Sequence, residues 1–411
     1  MRSVGNVLII VENLPVPFDR RVWMESTSLK RAGYGVSVIC PTGRGFEKRY
    51  EVIDGIHVYR HPLPPDSSGL AHFIKEYSAA LFWEMWLAIK VWRQRGFDVI
   101  HMCNPPDLIF LVAIWFKLLF GVRIIYDQHD LTPEMFEAKF RKRGLLYYGL
   151  RLVEWLTYRS ADVVIATNQS HKETAMQRGR HAADRVFVVR SGPDLSRFIP
   201  TAPNPLYRWG KRYLVGYLGV MGEPEGIDGL LRSFAKIVHG HGRTDVQLML
   251  IGDGPAREQL HNVAAELGVA DHVEFSGRVP DDELIERLST CDVCVNCDPK
   301  NPYNDKSTMN KILEYMAMAK PIVQYDVVEG KRSAGDASLY ARGGDEADFA
   351  CQILHLIDNE PQRIEMGLEG RRRMQQELEW NHQTPHLLRA YETALGRSDP
   401  ASVYGAQVAR I

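Results

Sequence analysis

Glu314 is an acidic residue in a short segment whose other side is apolar. The apolar residues recur at i, i+3, i+4 and i+7, the spacing of one buried helical face: Met309, Ile312, Leu313 and Met316. Ser307 and Thr308 stand just before this helix and are predicted to cap it. Pro321 and an apolar strand follow, which favours a binding role for Glu314 over that of a solvent-facing glutamate. Its carboxylate can accept two hydrogen bonds from neighbouring hydroxyl groups of a ligand.

Four loops rich in glycine and polar residues precede helices in the second half of the chain. Their sequences are "GVMGEPEG" (219–226), "GDGP" (252–255), "GRVPD" (277–281) and "NCDPKNPYNDKST" (296–308). In an open parallel sheet such loops meet beyond the carboxyl ends of the strands, where ligands bind. Glycines let backbone N–H groups approach a phosphate, and helix N-termini favour anions. We therefore predict a nucleotide site with Glu314 as the ribose ligand and four candidate glycines, Gly219, Gly222, Gly252 and Gly254.

The elements that must position these residues alternate between apolar strands and helices. Continuous apolar runs such as "VLIIV" and "VQLMLIG" fit strands covered on both faces, and strand–helix alternation predicts parallel α/β sheets. The alternation stops over residues 191–212, which contain four prolines and are predicted to form a linker, and then resumes. We therefore predict an α/β protein with two Rossmann-like domains, residues 1–198 and 205–381.

The composition limits the classes of function. The 411 residues include 45% hydrophobic and 25% charged side chains, which is typical of a globular protein. A formal net charge of −1 gives no indication of nucleic-acid binding. The N-terminus lacks the features of a signal peptide, and the most apolar stretch, residues 108–120, is too short to span a membrane. We predict a cytoplasmic location and no nucleic-acid partner.

Three of the six cysteines lie close together in "CDVCVNC", at positions 291, 294 and 297. An iron–sulfur motif of this kind would need a fourth cysteine where the chain has Asn301. The segment has the pattern of a strand, so Cys294 is expected to point away from Cys291 and Cys297. We interpret all three as buried thiols and predict no metal site.

The motifs "IGDGP", "FSGRV" and above all "KILEYMAMAKPIV" resemble those of the retaining glycosyltransferases of family 4, and the resemblance covers nearly the whole chain. It implies a GT-B fold, in which two Rossmann-like domains face a cleft and a C-terminal helix, here within residues 382–411, crosses back to the N-terminal domain. It also implies transfer of a sugar from a nucleotide-sugar donor, as a substrate, with retention at the anomeric carbon and without a metal ion or other cofactor.

The same resemblance suggests roles for individual residues. Glu314 matches the second glutamate of the family's E-x7-E motif, which holds the ribose. His129, in "YDQHD", matches a histidine that lies near the donor sugar. Arg278 and Val279 match the loop that lines the base.

Two departures from the family pattern concern the charge of the diphosphate. Lys306 replaces the first glutamate of the motif, and Leu218 and Glu225 stand where the family commonly has an Arg and a Lys. The diphosphate still needs compensating charge. The candidates are Lys306 at the helix start and, in the first loop of the N-terminal half, Arg20 and Arg21. No carboxylate is marked as a nucleophile, which favours a front-face route in which the leaving diphosphate takes the acceptor proton, with Lys306 and His129 as catalytic residues.

The acceptor is expected to bind the N-terminal half, where "CNPPD" places Asn104 and Asp107 on the acceptor side. Residues 72–95 and 137–159 of that half mix aromatic and basic side chains. In the first segment these are Phe73, Phe82, Trp83, Trp86, Trp92, Lys75, Lys90, Arg93 and Arg95. The mixture suits peripheral contact with an anionic membrane at its inner face, and core aromatics with solvated charges fit it equally well. Membrane contact would make the acceptor a lipid-linked sugar rather than a soluble glycan.

The expected function is therefore hexosyl transfer in polysaccharide or glycoconjugate biosynthesis, with a UDP-linked donor. A GT-B nucleotide-sugar epimerase is one alternative, although it would need a different set of catalytic carboxylates. A non-catalytic subunit that binds nucleotide sugar is another, because Lys306 replaces a motif glutamate.

Overall fold

The computed structural model describes residues 4–63, 70–140 and 142–397, without the side chains of residues 70–74. Phe73 and the predicted C-terminal segment beyond residue 397 therefore lie outside the described residues. The chain divides into two compact units. The N-terminal unit comprises the residues up to Ser191 together with those from Gln383 on, and the C-terminal unit is Gly192–His382.

An eight-stranded sheet forms the centre of the N-terminal unit. Its strands are β1 (Asn6–Val11), β2 (Gly35–Pro41), β3 (Tyr50–Ile53), β4 (Ile56–His61), β5 (Val99–Cys103), β6 (Arg123–Gln128), β7 (Val163–Ala166) and β8 (Val186–Val188). The order across the sheet is β3-β4-β2-β1-β5-β6-β7-β8. All pairings are parallel except that of β3 with β4.

Six helices accompany this sheet along the chain up to residue 191, within the described residues. They are α1 (Arg20–Arg31), α2 (Leu70–Arg95), α3 (Phe110–Phe120), α4 (Thr132–Phe140), α5 (Leu145–Ser160) and α6 (Gln169–Arg178). Asp19 caps α1, since its carboxylate accepts a hydrogen bond from the backbone N of Val22 at 3.1 Å. α3 ends at Gly121, which has a φ of 70° and closes the helix in the left-handed conformation.

A six-stranded sheet, parallel throughout, forms the centre of the C-terminal unit. Its strands are β9 (Tyr213–Leu218), β10 (Val246–Ile251), β11 (Val273–Gly277), β12 (Val293–Asn296), β13 (Ile322–Tyr325) and β14 (Ser338–Ala341). The order across the sheet is β11-β10-β9-β12-β13-β14. The two buried faces of this sheet belong to separate apolar clusters, so the sheet is covered on both sides.

The helices of the second half run from α7 to α14. They are α7 (Ile227–Ala235), α8 (Arg257–Glu266), α9 (Asp281–Thr290), α10 (Asn310–Ala317), α11 (Val328–Ala334), α12 (Glu346–Asp358), α13 (Glu360–Arg373) and α14 (Trp380–Ala394). The cap predicted for α10 is wrong. The N-cap is Met309, without a side-chain hydrogen bond, because the hydroxyl of Ser307 instead donates to the carbonyl of Tyr303 at 2.9 Å.

The expected linker and the last described helix, α14, both pack against one of the two units. Phe198, within the expected linker, is buried, and its carbonyl accepts a hydrogen bond from Arg371 Nη1 at 2.8 Å, so this segment belongs to the C-terminal unit. From Gln383 on, α14 belongs to the N-terminal unit. There the buried Tyr391 lies beside Tyr34, with ring centroids 5.7 Å apart.

The arrangement of the cysteines differs from the expected alternation. Cys291 lies at the C-cap of α9, before β12 begins, so strand geometry does not apply to it. Cys291 and Cys294 consequently share one apolar cluster, and Cys297 lies in the cluster on the other face. All three are buried free thiols, and burial raises the pKa of Cys294 and Cys297 above their usual values.

The predicted fold class is confirmed, since both units are α/β structures around parallel sheets. Within the described part of the chain, no helix combines the length and the hydrophobicity needed to cross a bilayer.

Candidate functional site

Two of the predicted glycine loops are in backbone contact at the carboxyl ends of β9 and β10, which are neighbours in the sheet. The backbone N of Gly219 donates to Ile251 O at 3.0 Å, and the backbone N of Met221 donates to Asp253 O at 3.1 Å. A Cβ at Gly252 would overlap the carbonyl oxygen of Gly219, so no side chain fits between the loops. Gly219 and Gly252 also have φ angles of 155° and 133°, which L side chains rarely adopt.

The other two candidate glycines are packed in the same loops. A Cβ at Gly254 would lie 2.5 Å from the carbonyl oxygen of Met221, and one at Gly222 would lie 2.5 Å from Glu225 Oε2. The structure therefore brings all four glycines together at one edge of the C-terminal sheet. The backbone N–H groups of Gly252 and Gly254 are also used internally, since they donate to Gly277 O and to Asp253 Oδ1, both at 2.9 Å. These glycines therefore allow the loops to approach one another closely.

Lys311 places a positive charge directly beside these loops, and the sequence analysis missed it. Its Nζ lies 3.0 Å from Asp298 Oδ2 and 3.3 Å from the hydroxyl of Tyr217, above whose ring it also lies. Burial lowers the pKa of Lys311, but the Asp298 carboxylate and Tyr217 outweigh burial and raise the pKa above its usual value. A Cβ at Gly219 would lie 3.3 Å from Lys311 Cε. The charge is therefore permanent and adjacent to the first glycine loop.

Glu225, which stands where the family commonly has a lysine, is held in the same region. Burial raises the pKa of Glu225, and the nearby Asp298 raises it further, whereas Lys311 lowers it. Its Oε2 is buried without a hydrogen-bond partner within the described part of the chain. Lys311, whose side chain is 11% exposed, is already partly neutralised by Asp298.

The remaining donor-side candidates lie on the predicted loops and on α10. Glu314 is half-buried in the middle of α10, one turn after Lys311. Lys306 and Thr308 are half-buried and Ser307 is buried, all in the turns that precede the helix. Arg278 is exposed after β11, and Val279 packs against the apolar cluster that includes α10. In the loop after β11, Arg278 is therefore a surface residue and Val279 a packing residue.

His129 follows β6 in the N-terminal unit and is held by buried neighbours. Its Nε2 lies 2.5 Å from Asp127 Oδ2, and its backbone N donates to Asn104 Oδ1 at 2.6 Å. Asn104 in turn donates to Asp107 Oδ1 at 2.9 Å, and Tyr126 donates to the same oxygen at 2.6 Å. Both side chains are buried and bonded internally, so Asn104 and Asp107 position the His129 loop. Their place on the acceptor side stays a prediction.

Arg21 is also inside the N-terminal unit rather than on a ligand-facing surface. Its Nη2 lies 2.8 Å from Asp127 Oδ1 and 3.1 Å from Glu25 Oε1. Its Nη1 donates to Val189 O at 2.9 Å and to Ser191 Oγ at 3.0 Å. With the guanidinium buried and its donors used, Arg21 cannot serve as the expected diphosphate ligand without losing these bonds. Arg20, the first residue of α1, is exposed.

The two carboxyl groups around Arg21 ionise differently. Burial would raise the pKa of Asp127, but Arg21 and His129 hold it well below its usual range. Burial and the neighbouring Asp127 raise the pKa of Glu25 well above its usual value, and Arg21 only partly opposes this. Asp127 is therefore the charged partner that orients His129.

Four side chains of this network could in principle bind a metal ion, because their ligand atoms lie within 4.8 Å of one another: Glu25, His101, Cys103 and Asp127. They fit a metal poorly. The guanidinium of Arg21 already provides the cation next to both carboxyl groups. Burial also raises the pKa of Cys103 well above its usual value, which disfavours the thiolate form that binds metals.

Comparisons with known proteins follow the same division of the chain. Residues 19–192 match the family model of glycosyl transferase 4-like domains, and residues 212–359 match that of glycosyl transferases group 1. A D-inositol 3-phosphate glycosyltransferase of Thermomonospora curvata is 30% identical over 68% of this chain and 68% of its own. A 2-deoxystreptamine glucosyltransferase of Streptomyces kanamyceticus is 26% identical over 83% of this chain and 89% of its own.

Solved structures show the same fold at lower identity. Sucrose-phosphate synthase from Thermosynechococcus elongatus superposes with a TM-score of 0.78 at 17% identity, covering 96% of this chain and 100% of its own. Anabaena HepE, in complex with UDP and glucose, has a TM-score of 0.72 at 16% identity, covering 95% of this chain and 100% of its own. From the relative that shares 30% identity and from both domain matches, this chain belongs to the GT4-type glycosyltransferases, and its fold is GT-B.

Proposed function

We propose that this glycosyltransferase moves a hexosyl group from a UDP-sugar to a glycan or a lipid-linked acceptor, with retention at the anomeric carbon and without a metal ion. The observation that supports the donor assignment is the pair of glycine loops after β9 and β10, in backbone contact and adjacent to the largely buried charge of Lys311. The glycines allow the loops to pack closely, and a fixed cation beside them suits a diphosphate.

In the proposed reaction the bond between the anomeric carbon and the diphosphate oxygen breaks as the acceptor oxygen attacks from the same face. The acceptor proton moves to the leaving diphosphate oxygen, so no enzyme base is needed. Lys306 and the N-terminus of α10 stabilise the charge that grows on the leaving group. Glu314 binds the ribose diol, and His129, oriented by Asp127, stabilises charge near the sugar.

In the N-terminal unit, we distinguish residues that position other side chains from residues that could contact the donor. Asn104 accepts a hydrogen bond from the backbone of His129, and Arg21 donates to Asp127, so we assign both a positioning role. Arg20 stays a candidate for contact with the donor because its side chain is exposed.

Release of nucleoside diphosphate from UDP-, GDP- and ADP-sugars, with and without candidate acceptors and in the presence of a chelator, tests this proposal. We expect UDP release that depends on the acceptor and persists in the presence of the chelator. The anomeric configuration of the product linkage should be the same as that of the donor. Exchange between donor isomers without acceptor would indicate the epimerase instead. Saturable donor binding without turnover on any acceptor would indicate a non-catalytic subunit, the alternative that Lys306 at the motif position favours.

A further inference from the structure

The outer face of α2 is apolar although its inner face already packs in the core. Leu87, Ala88 and Val91 are buried in the apolar core between the sheet of the N-terminal unit and its helices. On the opposite side Phe82, Trp86 and Ile89 are exposed at i, i+4 and i+7, the first of them by 65%. Trp92, in contrast, is packed against the core. The helix therefore has two apolar faces, and only one has a partner within the described residues.

The next helix repeats this arrangement. α3 buries Val112, Ala113 and Phe116 in the same core, while its outer side exposes a second apolar set: Leu111, Trp115, Leu118, Leu119 and Phe120. Leu118 and Leu119 are 71% and 67% exposed. They lie in the last turn of the helix, just before Gly121.

α5 completes the pattern. It buries Tyr147, Glu154, Thr157 and Tyr158, and exposes residues at i, i+3, i+7 and i+10: Leu145, Tyr148, Leu152 and Trp155. Leu145, at the start of the helix, is 94% exposed. α2 packs against α3 and α3 against α5, so the three stripes belong to adjacent helices of one layer. We name these three stripes together the apolar face.

The exposed charges of the chain segment that carries the apolar face, residues 75–160, are almost all positive. Among the described side chains of residues 75–160, eight basic residues are exposed: Lys75, Arg93, Arg95, Arg123, Lys139, Lys142, Arg143 and Arg159. The one exposed acidic residue in that range is Asp98, because the other carboxyl groups are buried or half-buried. The molecule as a whole has a net charge of −1, so this excess is local.

We propose that the apolar face docks on an anionic lipid surface, with α2, α3 and α5 lying in the plane of the interface. Exposed leucines and aromatic rings of this layer enter the boundary between head groups and acyl chains, and the surrounding lysines and arginines contact lipid phosphates. Trp and Tyr suit this boundary because each has an apolar body and a polar group. Single exposed apolar residues are common, but three contiguous stripes indicate an interaction site.

The charge pattern distinguishes this partner from a second copy of the chain. A symmetric dimer through the apolar face would place the same patch on both subunits, and each copy of this segment carries the same excess of exposed cations. An anionic membrane provides complementary charge instead. The docking surface does not depend on the proposed transfer reaction, because lipid binding can be measured without donor or acceptor.

Co-sedimentation of the full chain with vesicles tests the docking surface. Binding is expected to vesicles of phosphatidylcholine and phosphatidylglycerol in equal parts, to be weak with phosphatidylcholine alone, and to fall at high salt. Leu118→Ser with Leu119→Ser should lower the partition coefficient by about tenfold or more, since two exposed leucines no longer enter the lipid. Arg93→Gln, Lys142→Gln and Arg159→Gln together should lower it by about 10²-fold.

A matched control lies on α13 of the C-terminal unit, where Ile364 and Leu368 are also exposed apolar residues one turn apart. Ile364→Ser with Leu368→Ser should leave vesicle binding unchanged. All these positions are exposed, and an unchanged Tm verifies folding. The proposal is overturned by the absence of binding to anionic vesicles, by equal losses in the control, or by a dimer in sedimentation velocity that Leu118→Ser with Leu119→Ser dissociates.

Discussion

The hydroxyl of Tyr391 lies 2.7 Å from Nδ1 of His101, although the two residues are 290 positions apart in the chain. Both are fully buried in the N-terminal unit. Burial lowers the pKa of His101 and raises that of Tyr391, so a neutral phenol donates to a neutral imidazole. Nε2 of the same ring lies 3.4 Å from Asp127 Oδ2, the carboxylate that orients His129. The helix α14 is thus connected to a candidate catalytic residue.

Tyr391→Phe should destabilise the protein by about 1–3 kcal/mol, because it leaves Nδ1 of His101 buried without its donor. Thermal unfolding followed by circular dichroism measures this loss. Tyr148→Phe is the matched control, since Tyr148 is exposed and its hydroxyl can bond to water. Equal unfolding temperatures for the two variants would show that the Tyr391 bond contributes nothing.

Glu84→Gln should change how stability depends on pH. Glu84 is fully buried, and burial raises its pKa from 4.5 to about 8. Between these values the folded chain holds a proton that the unfolded chain has lost, so stability falls as pH rises, by up to about 1.4 kcal/mol per pH unit. The variant lacks this titration and should unfold at a higher temperature than the parent at pH 9, with a smaller difference at pH 5.

Glu266→Gln is the control for that experiment, because Glu266 is exposed and its substitution should leave the pH dependence as it is. Burial, and to a smaller extent Glu84, raises the pKa of Glu12 to about 9, so some dependence on pH will persist in Glu84→Gln. An identical pH profile for the parent and Glu84→Gln would contradict the assignment.

Much of the fold could be predicted from the sequence because buried parallel strands are continuous apolar runs. "VLIIV" and "VQLMLI" became β1 and β10 with all but one of their residues buried. The hairpin of β3 and β4 was missed, since Tyr50–Ile53 is an edge strand whose residues alternate between exposed and half-buried positions. The cap of α10 was missed because Ser307 makes a local bond to Tyr303, which competes with capping.

The candidate site was predictable only where it depends on local pattern. The glycine loops and Glu314 follow from such a pattern. Asn104 and His129 are joined by a hydrogen bond across 25 positions, and nothing in the spacing indicates it. Lys311 was missed because a lysine in a helix usually points to solvent, whereas here its ammonium group is held by Asp298 and Tyr217 and its side chain is only 11% exposed.

Lys311→Met should destabilise the protein by roughly 3–5 kcal/mol, because Asp298 would remain buried without its partner. Asp298→Asn in the same chain removes that charge and should recover most of the lost stability, as measured by urea unfolding. The double variant then separates folding from function. If Lys311 supports the donor diphosphate, the folded double variant binds UDP more weakly than the parent. Unchanged UDP affinity would limit Lys311 to a structural role.

Glu314→Gln should weaken donor binding more than folding. A charged hydrogen bond to the ribose contributes roughly 1.5–3 kcal/mol, and an amide replaces one of the two accepting oxygens with a donor. Calorimetric titration with UDP measures the effect. Glu365→Gln on α13 is the control, since Glu365 is exposed on a helix away from the glycine loops. If both variants bind UDP equally well, Glu314 is not the ribose ligand.

Lys306 is the position where this chain departs most from the family pattern, and its substitution tests what replaces the missing glutamate. An ammonium group only donates hydrogen bonds, so Lys306 cannot accept bonds from sugar hydroxyls as a glutamate would. It lies in the turn before α10, whose N-terminal N–H groups favour negative charge. Lys311, the other cation near these loops, is already paired with Asp298. We therefore expect Lys306 to stabilise the leaving diphosphate.

Lys306→Ala should lower kcat by on the order of 10²-fold and change donor affinity much less, because charge on the leaving group grows in the transition state. Lys306→Glu should lower kcat further, since it adds repulsion. Lys300→Ala is the matched control, being an exposed lysine of the same loop. Steady-state kinetics with calorimetric UDP binding separate the two effects. Turnover of Lys306→Glu at or above the parent value would contradict this role and leave Arg20 as the remaining candidate.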